Sequence, residues 1–275
     1  MKKHLSTWLL SALAITATAQ TARQFTVNLT PDGESNMVCY LPEHPTGRAV
    51  IDLPGGGYSH LSMQNEGHDW APWFNERGIA FFVTTYRMPH GDRTIPLADA
   101  QAAIRTVRDS AQVWETDPHN VGVMGFSAGG HLASAVSTHG EENSLPDFTI
   151  LFYPVISMNQ HDSHKGSCIN FLGEEGAADE QLIREWSSQN AVRSHITPPA
   201  IILMNNGDGA VPPVTNGIAY YSAMQLAGNS CALHVYPADG HGFGFRSTYR
   251  FHDQMLSDLD NWLRTLPLKP AEKKD

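Results

Sequence analysis

The sequence contains 275 residues, of which 41% are hydrophobic and 17% are charged. This composition is typical of a globular protein and excludes a fibrous, disordered or polytopic membrane chain. The 18 basic and 28 acidic residues give a formal net charge of −10. A chain with this charge lacks the basic surface that phosphate backbones require, so we expect no nucleic-acid partner.

The first residues have the pattern of an export signal. Lys2 and Lys3 precede an apolar stretch at 5–17, which ends in the small-residue cleavage pattern Ala-Thr-Ala at 17–19. A membrane anchor is the alternative, but the stretch is shorter than the roughly 20 apolar residues that span a bilayer. We therefore expect residues 1–19 to be a signal peptide, no membrane span after its cleavage, and a secreted or periplasmic protein.

The mature chain, residues 20–275, is expected to form a single domain. Its length lies within the range of single α/β domains, which can rely on a hydrophobic core. Only three cysteines are present, namely Cys39, Cys168 and Cys231. This small odd number allows at most one intramolecular disulfide and excludes a disulfide scaffold.

Short apolar runs alternate with segments of helical length along most of the chain. Two runs at 25–29 and 37–41 flank a Pro-Asp-Gly turn and predict an antiparallel pair of strands. The later runs lie at 49–53, 79–86, 121–124, 148–153, 200–204 and 233–236. Buried strands that alternate with helices predict an α/β fold, in which a mostly parallel central sheet carries helices on both faces.

Two of the intervening segments are informative. From Pro96 to Trp114, apolar residues recur at three- and four-residue steps, which predicts a helix packed on the sheet. Residues 155–197 hold no strand-like run and are longer than an ordinary connection. We expect this segment to form a small cap insertion near the active site.

A serine flanked by glycines lies at a predicted junction of strand and helix. Ser127 stands between Gly125 and Gly129, shortly after the run at 121–124. A serine on a sharp strand-to-helix turn needs neighbours without side chains, so that its hydroxyl projects and backbones can pass closely. The spacing predicts a nucleophile elbow, although serine is also a favoured residue at the start of any helix.

A catalytic serine needs an imidazole to accept its proton and a carboxylate to orient that imidazole. Asp208 follows the run at 200–204, and His241 lies between two glycines after the last run. Because open α/β sheets bind their ligands at the carboxyl ends of the strands, we expect both residues to meet Ser127. Asp239 is the rival acid. The order serine, aspartate, histidine is that of α/β-hydrolases.

A run of three glycines, Gly55 to Gly57, follows the strand predicted at 49–53 and is called the glycine loop below. The N–H groups of Gly56 and Gly57, with that of Ala128 after the candidate nucleophile, are predicted to form an oxyanion hole. The run could instead be a tight turn or a phosphate loop, but no Lys-Ser or Lys-Thr pair follows it.

Four further residues are candidates for substrate binding or for bracing the glycine loop: Tyr58, Glu66, His131 and Trp186. Ordinary packing and a helix-start acid explain them equally well. His161 and His164 lack partners at a zinc-like spacing, so no metal is expected. Hydrolysis by an activated serine needs no cofactor, and none is predicted.

Together these motifs resemble those of α/β-hydrolase esterases with a triple-glycine oxyanion loop. The stretches that carry the resemblance are Pro54-Gly-Gly-Gly-Tyr58, Gly125-Phe-Ser-Ala-Gly-Gly-His131, Asp208-Gly-Ala-Val-Pro212 and Gly240-His-Gly-Phe243. The resemblance extends over about residues 49–266. Within this group, the chain is most similar to secreted carbohydrate esterases that deacetylate xylan and related hemicelluloses. Many triple-glycine esterases have histidine where this chain has Pro54.

The resemblance implies a secreted serine esterase that hydrolyses short-chain acyl esters, chiefly acetyl, on xylan or its oligosaccharides. Its partner would be an acylated polysaccharide or oligosaccharide. A feruloyl esterase or a general short-chain carboxylesterase is the alternative within the same fold. A non-catalytic carbohydrate-binding protein that has kept this fold is a third hypothesis.

Overall fold

The computed structural model describes residues 23–267, so the export signal predicted at 1–19 lies outside the described residues. The strands are β1 (Arg23–Asn28), β2 (Asn36–Leu41), β3 (Ala49–Leu53), β4 (Ala80–Thr85), β5 (Val121–Phe126), β6 (Thr149–Phe152), β7 (Ala200–Gly207) and β8 (Cys231–Asp239). The α-helices are α1 (Ala71–Asn75), α2 (Thr94–Asp109), α3 (Ala111–Trp114), α4 (Ser127–His139), α5 (Lys165–Gly176), α6 (Glu180–Trp186), α7 (Gly217–Leu226) and α8 (His252–Thr265). Within 23–267, no helix combines the length and the apolar content needed to cross a bilayer.

The strands form one sheet in the order β1-β2-β4-β3-β5-β6-β7-β8. The pairs β1–β2 and β2–β4 are antiparallel, and every pair from β4 to β8 is parallel. Every residue of β3, β5 and β6 is buried, so both faces of the centre of the sheet are covered. The predicted α/β-hydrolase arrangement with an antiparallel N-terminal pair is therefore confirmed.

The helix predicted from Pro96 to Trp114 is divided in the structure. Helices α2 and α3 are separated at Ser110, whose φ of −92° and ψ of 2° lie outside the helical range. Beyond the break, Trp114 packs against Phe25 and Phe82, with ring centroids 5.7 and 5.3 Å apart. The apolar spacing continues through Ser110, so periodicity alone did not reveal the break.

Helix α4 lies at the centre of the molecule and is buried from its first residue to Thr138. It packs against β3, β5 and β6 on the sheet and against α2. Its first twelve residues are mostly glycine, alanine, serine and threonine, which let the helix approach the sheet closely. This burial gives Ser127, the first residue of α4, a fixed position.

The segment predicted as a cap, residues 155–197, contains α5, α6 and a short 3₁₀ helix at Ser188–Asn190; no strand occurs in this fully described stretch. Asn216 Oδ1 accepts hydrogen bonds from the backbone N–H groups of Ile156 and Ser157 at 2.9 and 3.1 Å. From α5, Asn170 Nδ2 donates to the carbonyl of Gly57 at 2.9 Å. The segment is therefore fixed to the protein at its start and lies against the glycine loop.

The three cysteines, all of which are described, carry free thiols. Burial raises the pKa of Cys39, Cys168 and Cys231 to about 12. Because the thiolate is the reactive form, these thiols are inert at neutral pH.

Candidate active site

Ser127 stands at the turn between β5 and α4. Its φ of 51° lies in the left-handed region, a strained conformation for a residue with a side chain. Close packing around the turn depends on glycine: a Cβ at Gly129 would overlap the carbonyl of Leu53, and one at Gly125 would overlap the carbonyl of Gly129. The local geometry thus has the form of a nucleophile elbow, which holds the serine at the carboxyl end of the sheet.

The side chains of Ser127, His241 and Asp208 form one hydrogen-bonded series. His241 Nε2 lies 2.8 Å from Ser127 Oγ, and His241 Nδ1 lies 2.6 Å from Asp208 Oδ2. The second oxygen of the buried Asp208 carboxylate accepts two backbone N–H groups of the following turn, at 2.9 and 3.0 Å. The exposed Asp239 makes no hydrogen bond to His241, although both residues are described. The geometry therefore favours Asp208 as the acid.

The loop that carries His241 is held by Asn205, a residue that the sequence did not single out. Asn205 Nδ2 donates to the carbonyls of Gly240 and Asp239 at 2.9 and 3.3 Å. The hydroxyl of Tyr249 donates to Asn205 Oδ1 at 2.5 Å. Asn205 lies beyond the strand predicted at 200–204, because pairing with β8 extends β7 to Gly207.

The glycine loop presents free backbone donors to the same cavity. Gly56 and Gly57 line the cavity that contains Ser127, and neither N–H group has a hydrogen-bond partner among residues 23–267. Gly56 has a φ of 137°, and a Cβ there would overlap the carbonyl of His60. The N–H of Ala128, in the first turn of α4, has no intrahelical partner. Gly56 and Gly57 therefore carry unpaired amides at the cavity, whereas Ala128 is fully buried and is not among the residues that line it.

Two side chains brace the glycine loop from behind. Glu66 Oε2 accepts the N–H of Gly55 at 2.9 Å, and the hydroxyl of Tyr86 donates to the carbonyl of Pro54 at 2.7 Å. Glu66 was predicted either to bind substrate or to brace this loop. It borders the cavity but is only 5% exposed, and its hydrogen bonds give it the bracing role. Pro54 takes part through its carbonyl, which a change of side chain at this position leaves in place.

Tyr153 links this brace to the loop after β8 that carries His241 and Gly244, called the histidine loop below. Its hydroxyl donates to Glu66 Oε1 at 2.8 Å and accepts the N–H of Gly244 at 3.0 Å. Its ring lies edge-on to the ring of His241, with centroids 4.7 Å apart. The sequence signal for Tyr153 is its position at the end of the apolar run predicted at 148–153.

Tyr58, His131 and Trp186 do not line the cavity that contains Ser127, although they were candidates for substrate binding. All three are buried, at 2%, 0% and 7% exposure. His131 Nδ1 accepts a hydrogen bond from the Tyr58 hydroxyl at 2.8 Å, and His131 Nε2 donates to the carbonyl of Trp186 at 2.8 Å. The three residues join the glycine loop, α4 and the cap, which corresponds to the bracing alternative rather than to substrate contact.

Burial dominates the electrostatics of the site. It raises the pKa of Glu66, while the hydrogen bonds from Tyr153 and Gly55 and the charge of His241 oppose the increase. Burial also raises the pKa of Asp52, on β3 behind the site, well above its usual range, and the charge of Glu66 adds to this effect. The pKa of His131 falls to about 4 because the ring is buried, so this histidine is neutral at pH 7.

The cavity around Ser127 has a volume of about 420 Å³. Besides the glycine loop and His241, it is lined by His164 and Asn170 from the cap and by Arg246. A larger depression of about 1290 Å³ within the cap segment contains none of the predicted catalytic residues. Within residues 23–267, no group of three potential metal ligands occurs.

The chain matches the BD-FAE family over residues 37–218. It is 58% identical, over 96% of its length, to an acetylxylan esterase from Xylanibacter ruminicola. It is 30% identical, over 75% of its length, to endo-1,4-beta-xylanase B from Butyrivibrio fibrisolvens. The chain spans 54% of the first relative and 34% of the second, so both relatives are much longer than the matched region.

The fold is also similar to solved structures. An acetyl ester-xyloside bifunctional hydrolase from Caldicellulosiruptor lactoaceticus superimposes with a TM-score of 0.78 and 34% sequence identity. The match covers 84% of this chain and 88% of that structure. The similarity covers most of both chains and agrees with the α/β-hydrolase architecture.

Proposed function

The chain belongs to the BD-FAE family, and we propose that it is a serine esterase that removes short acyl groups, chiefly acetyl, from xylan or its oligosaccharides. The observation that carries the proposal is the hydrogen-bonded series of Ser127, His241 and Asp208 beside three free backbone amides. The acetyl specificity and the xylan substrate rest on the names of two relatives, an acetylxylan esterase and an acetyl ester-xyloside hydrolase.

In the first half of the reaction, Ser127 Oγ attacks the carbonyl carbon of the acetyl ester. His241 Nε2 accepts the hydroxyl proton, while its Nδ1–H donates to Asp208, which holds the tautomer and stabilises the imidazolium. The imidazolium then gives its proton to the sugar oxygen as the ester C–O bond breaks. The products of this half are a free sugar hydroxyl and an acetyl group on Ser127.

The negative oxygen of each tetrahedral intermediate is held by the N–H groups of Gly56, Gly57 and Ala128. These amides are already oriented by the backbone, so they need no rearrangement as charge develops. One such donor typically contributes about 3–4 kcal/mol to transition-state stabilisation.

In the second half, His241 removes a proton from water, which attacks the acetyl carbonyl. The second intermediate collapses with return of the proton to Ser127 Oγ, and acetic acid leaves and loses its proton to water to become acetate. The cycle consumes one water molecule and restores the neutral imidazole, so the chain's own side chains suffice for the chemistry.

Export would bring such an enzyme to its substrate. An acetylated polysaccharide is too large to enter a cell by diffusion, and the signal predicted at 1–19 would deliver the protein to the polymer. A secreted or periplasmic location is therefore part of the proposal.

The function is tested by measuring acetate release from acetylated xylan and ferulate release from feruloylated arabinoxylan. A small aryl acetate is the reference substrate, and Ser127→Ala is the blank. We expect acetate release from the polymer that is lost in the blank. Ferulate release with little acetate would favour the feruloyl esterase, and cleavage of the aryl ester alone would favour a general carboxylesterase. If no substrate is hydrolysed, the result would favour the hypothesis of a non-catalytic carbohydrate-binding protein.

A further inference from the structure

One histidine of the cap segment faces the candidate active site. His164, directly before α5, is half-buried and lines the cavity that holds Ser127. Its ring lies close to the glycine loop: a Cβ added at Gly57 would stand 3.3 Å from His164 Cε1. The charges of His241 and Asp208 both act on the pKa of His164, so the ring is within electrostatic range of the candidate triad.

The hydrogen bonds of His164 determine which ring nitrogen carries the proton. Nδ1 accepts the backbone N–H of Ser167 at 3.2 Å and lies 2.8 Å from Ser167 Oγ. A ring nitrogen that accepts a backbone N–H is unprotonated, so in the neutral ring the proton is on Nε2. Burial, with the charge of His241, lowers the pKa of His164 and favours the neutral ring at pH 7. The side chain therefore offers one donor, Nε2–H.

This donor is unused and its position is fixed. His164 Nε2 makes no hydrogen bond to any residue in 23–267, and it is not among the buried polar atoms that lack a partner, so it is accessible to solvent. The chain on either side is anchored: Ser163 Oγ donates to Asn216 Oδ1 at 2.9 Å, and Asn170 Nδ2 donates to Gly57 at 2.9 Å. A donor held in this way is preorganised for a ligand acceptor.

We propose that His164 determines specificity by donating its Nε2–H to an oxygen of the sugar ring or its hydroxyls while Ser127 attacks the acetyl group of an acetylated xylo-oligosaccharide. The inference rests on the function proposed above and gives the cap segment a part in it. A small aryl acetate has no sugar oxygen to accept this bond. A site that contains such a donor therefore favours the sugar ester, because the aryl ester does not form this hydrogen bond.

The test compares substitutions that separate the donor from the helix cap. In His164→Asn, the shorter side chain can still accept the N–H of Ser167, since asparagine is a favoured N-cap, but its amide no longer reaches the cavity. His164→Gln keeps an amide donor of greater reach. His161→Asn is the matched control, because His161 is exposed, lies three residues away and does not line this cavity. Thermal unfolding of each variant verifies the fold.

The first readout is kcat/KM on acetylated xylo-oligosaccharides divided by kcat/KM on 4-nitrophenyl acetate. We expect this ratio to fall about 5- to 10-fold in His164→Asn, to recover partly in His164→Gln and to stay unchanged in His161→Asn. An unchanged ratio in His164→Asn would overturn the proposal, whether both activities fall together or neither falls.

The second readout separates this inference from the proposed function. Binding of the same oligosaccharides is measured by calorimetry with Ser127→Ala, alone and combined with His164→Asn. We expect about fivefold weaker binding in the double variant. If the wild type releases no acetate from sugars, the proposed function fails, while binding that depends on His164 would still support its role. If Ser127→Ala does not bind the oligosaccharides, the role of His164 fails as well.

Discussion

Tyr153 and Glu66 join two loops of the candidate site through one hydrogen bond of 2.8 Å. Glu66 holds the glycine loop through the N–H of Gly55, and Tyr153 receives the N–H of Gly244 from the histidine loop. The two loops come from opposite ends of the sequence, yet the candidate oxyanion donors and the candidate base share one support. A change at either residue is therefore expected to affect both.

The first prediction concerns Glu66→Gln, which preserves size but removes the charge. The glutamine amide has only one oxygen, so it cannot accept the Gly55 N–H and the Tyr153 hydroxyl on two separate oxygens as the carboxylate does. We expect kcat to fall about 10-fold. Glu66 also lies within electrostatic range of His241, so losing its charge makes the imidazolium less favourable. The acid limb of the pH profile of kcat/KM should therefore move to lower pH. Glu76→Gln, at an exposed position, is the control. An acid limb at the same pH as in the wild type would show that Glu66 supports the loops without influencing the charge of His241.

The second prediction concerns Tyr153→Phe. The ring that packs against His241 remains, but Glu66 loses a donor and the buried N–H of Gly244 loses its acceptor. Leaving a buried amide unpaired costs about 1–3 kcal/mol. We expect a lower temperature of unfolding and a fall of about 10-fold in kcat/KM on the aryl acetate. Wild-type kinetics in this variant would mean that the link between the loops is dispensable.

The third prediction decides which acid serves His241. Asp208→Asn keeps the shape of the side chain but no longer stabilises the imidazolium, and we expect kcat to fall about 10⁴-fold with the fold intact. Asp239→Asn is the matched control, since Asp239 is exposed and makes no hydrogen bond to His241. Its kcat should remain within about twofold of wild type. A large loss of activity in Asp239→Asn with activity retained in Asp208→Asn would show that Asp239, and not Asp208, orients His241.

The fourth prediction concerns Asp52, a buried acid on β3. Neither of its carboxyl oxygens makes a hydrogen bond within the described residues, and burial raises its pKa well above 3.8. The backbone N–H of Leu53 lowers the pKa of Asp52 and so opposes the effect of burial, but it does not form a hydrogen bond with the carboxyl group. Above about pH 4 the unfolded chain loses this proton while the folded protein keeps it. Stability should therefore fall as pH rises, by up to about 1.4 kcal/mol per pH unit, until the folded-state pKa is reached.

Asparagine at position 52 mimics the neutral acid and cannot titrate. The free energy of unfolding of Asp52→Asn should match that of the wild type near pH 4 and exceed it increasingly towards pH 8, as measured by urea unfolding across this range. Asp253→Asn, at an exposed position on α8, should give a difference that does not change in this way. A constant difference between wild type and Asp52→Asn would show that the buried acid is ionised throughout.

Local patterns predicted the parts of the site that depend on local geometry. The glycine spacing around Ser127 anticipated the strained turn because a close approach of backbones excludes side chains there. The positions of Ser127, Asp208 and His241 after predicted strands anticipated their meeting, because parallel strands bring their carboxyl ends to one edge of a sheet.

The supporting residues could not be predicted in the same way. Tyr153, Asn205 and Asn170 act through partners 30 or more positions away in the sequence, and their residue types are common in ordinary turns and cores. For His131 and Trp186, the sequence left substrate binding, bracing of the glycine loop and ordinary packing open. The structure buries them because α4 and the cap pack together through their rings and backbones.

The hydrogen bond from Asn170 to Gly57 limits how the cap segment can be exchanged by engineering. A segment of about 40 residues inserted between two strands would ordinarily be treated as an exchangeable module that sets substrate preference. Here that segment holds one of the glycines whose amide faces the cavity. Replacing this segment with a foreign cap would therefore alter the rate for every substrate. The rate would be kept only if the new cap supplied its own hydrogen-bond donor to the carbonyl of Gly57.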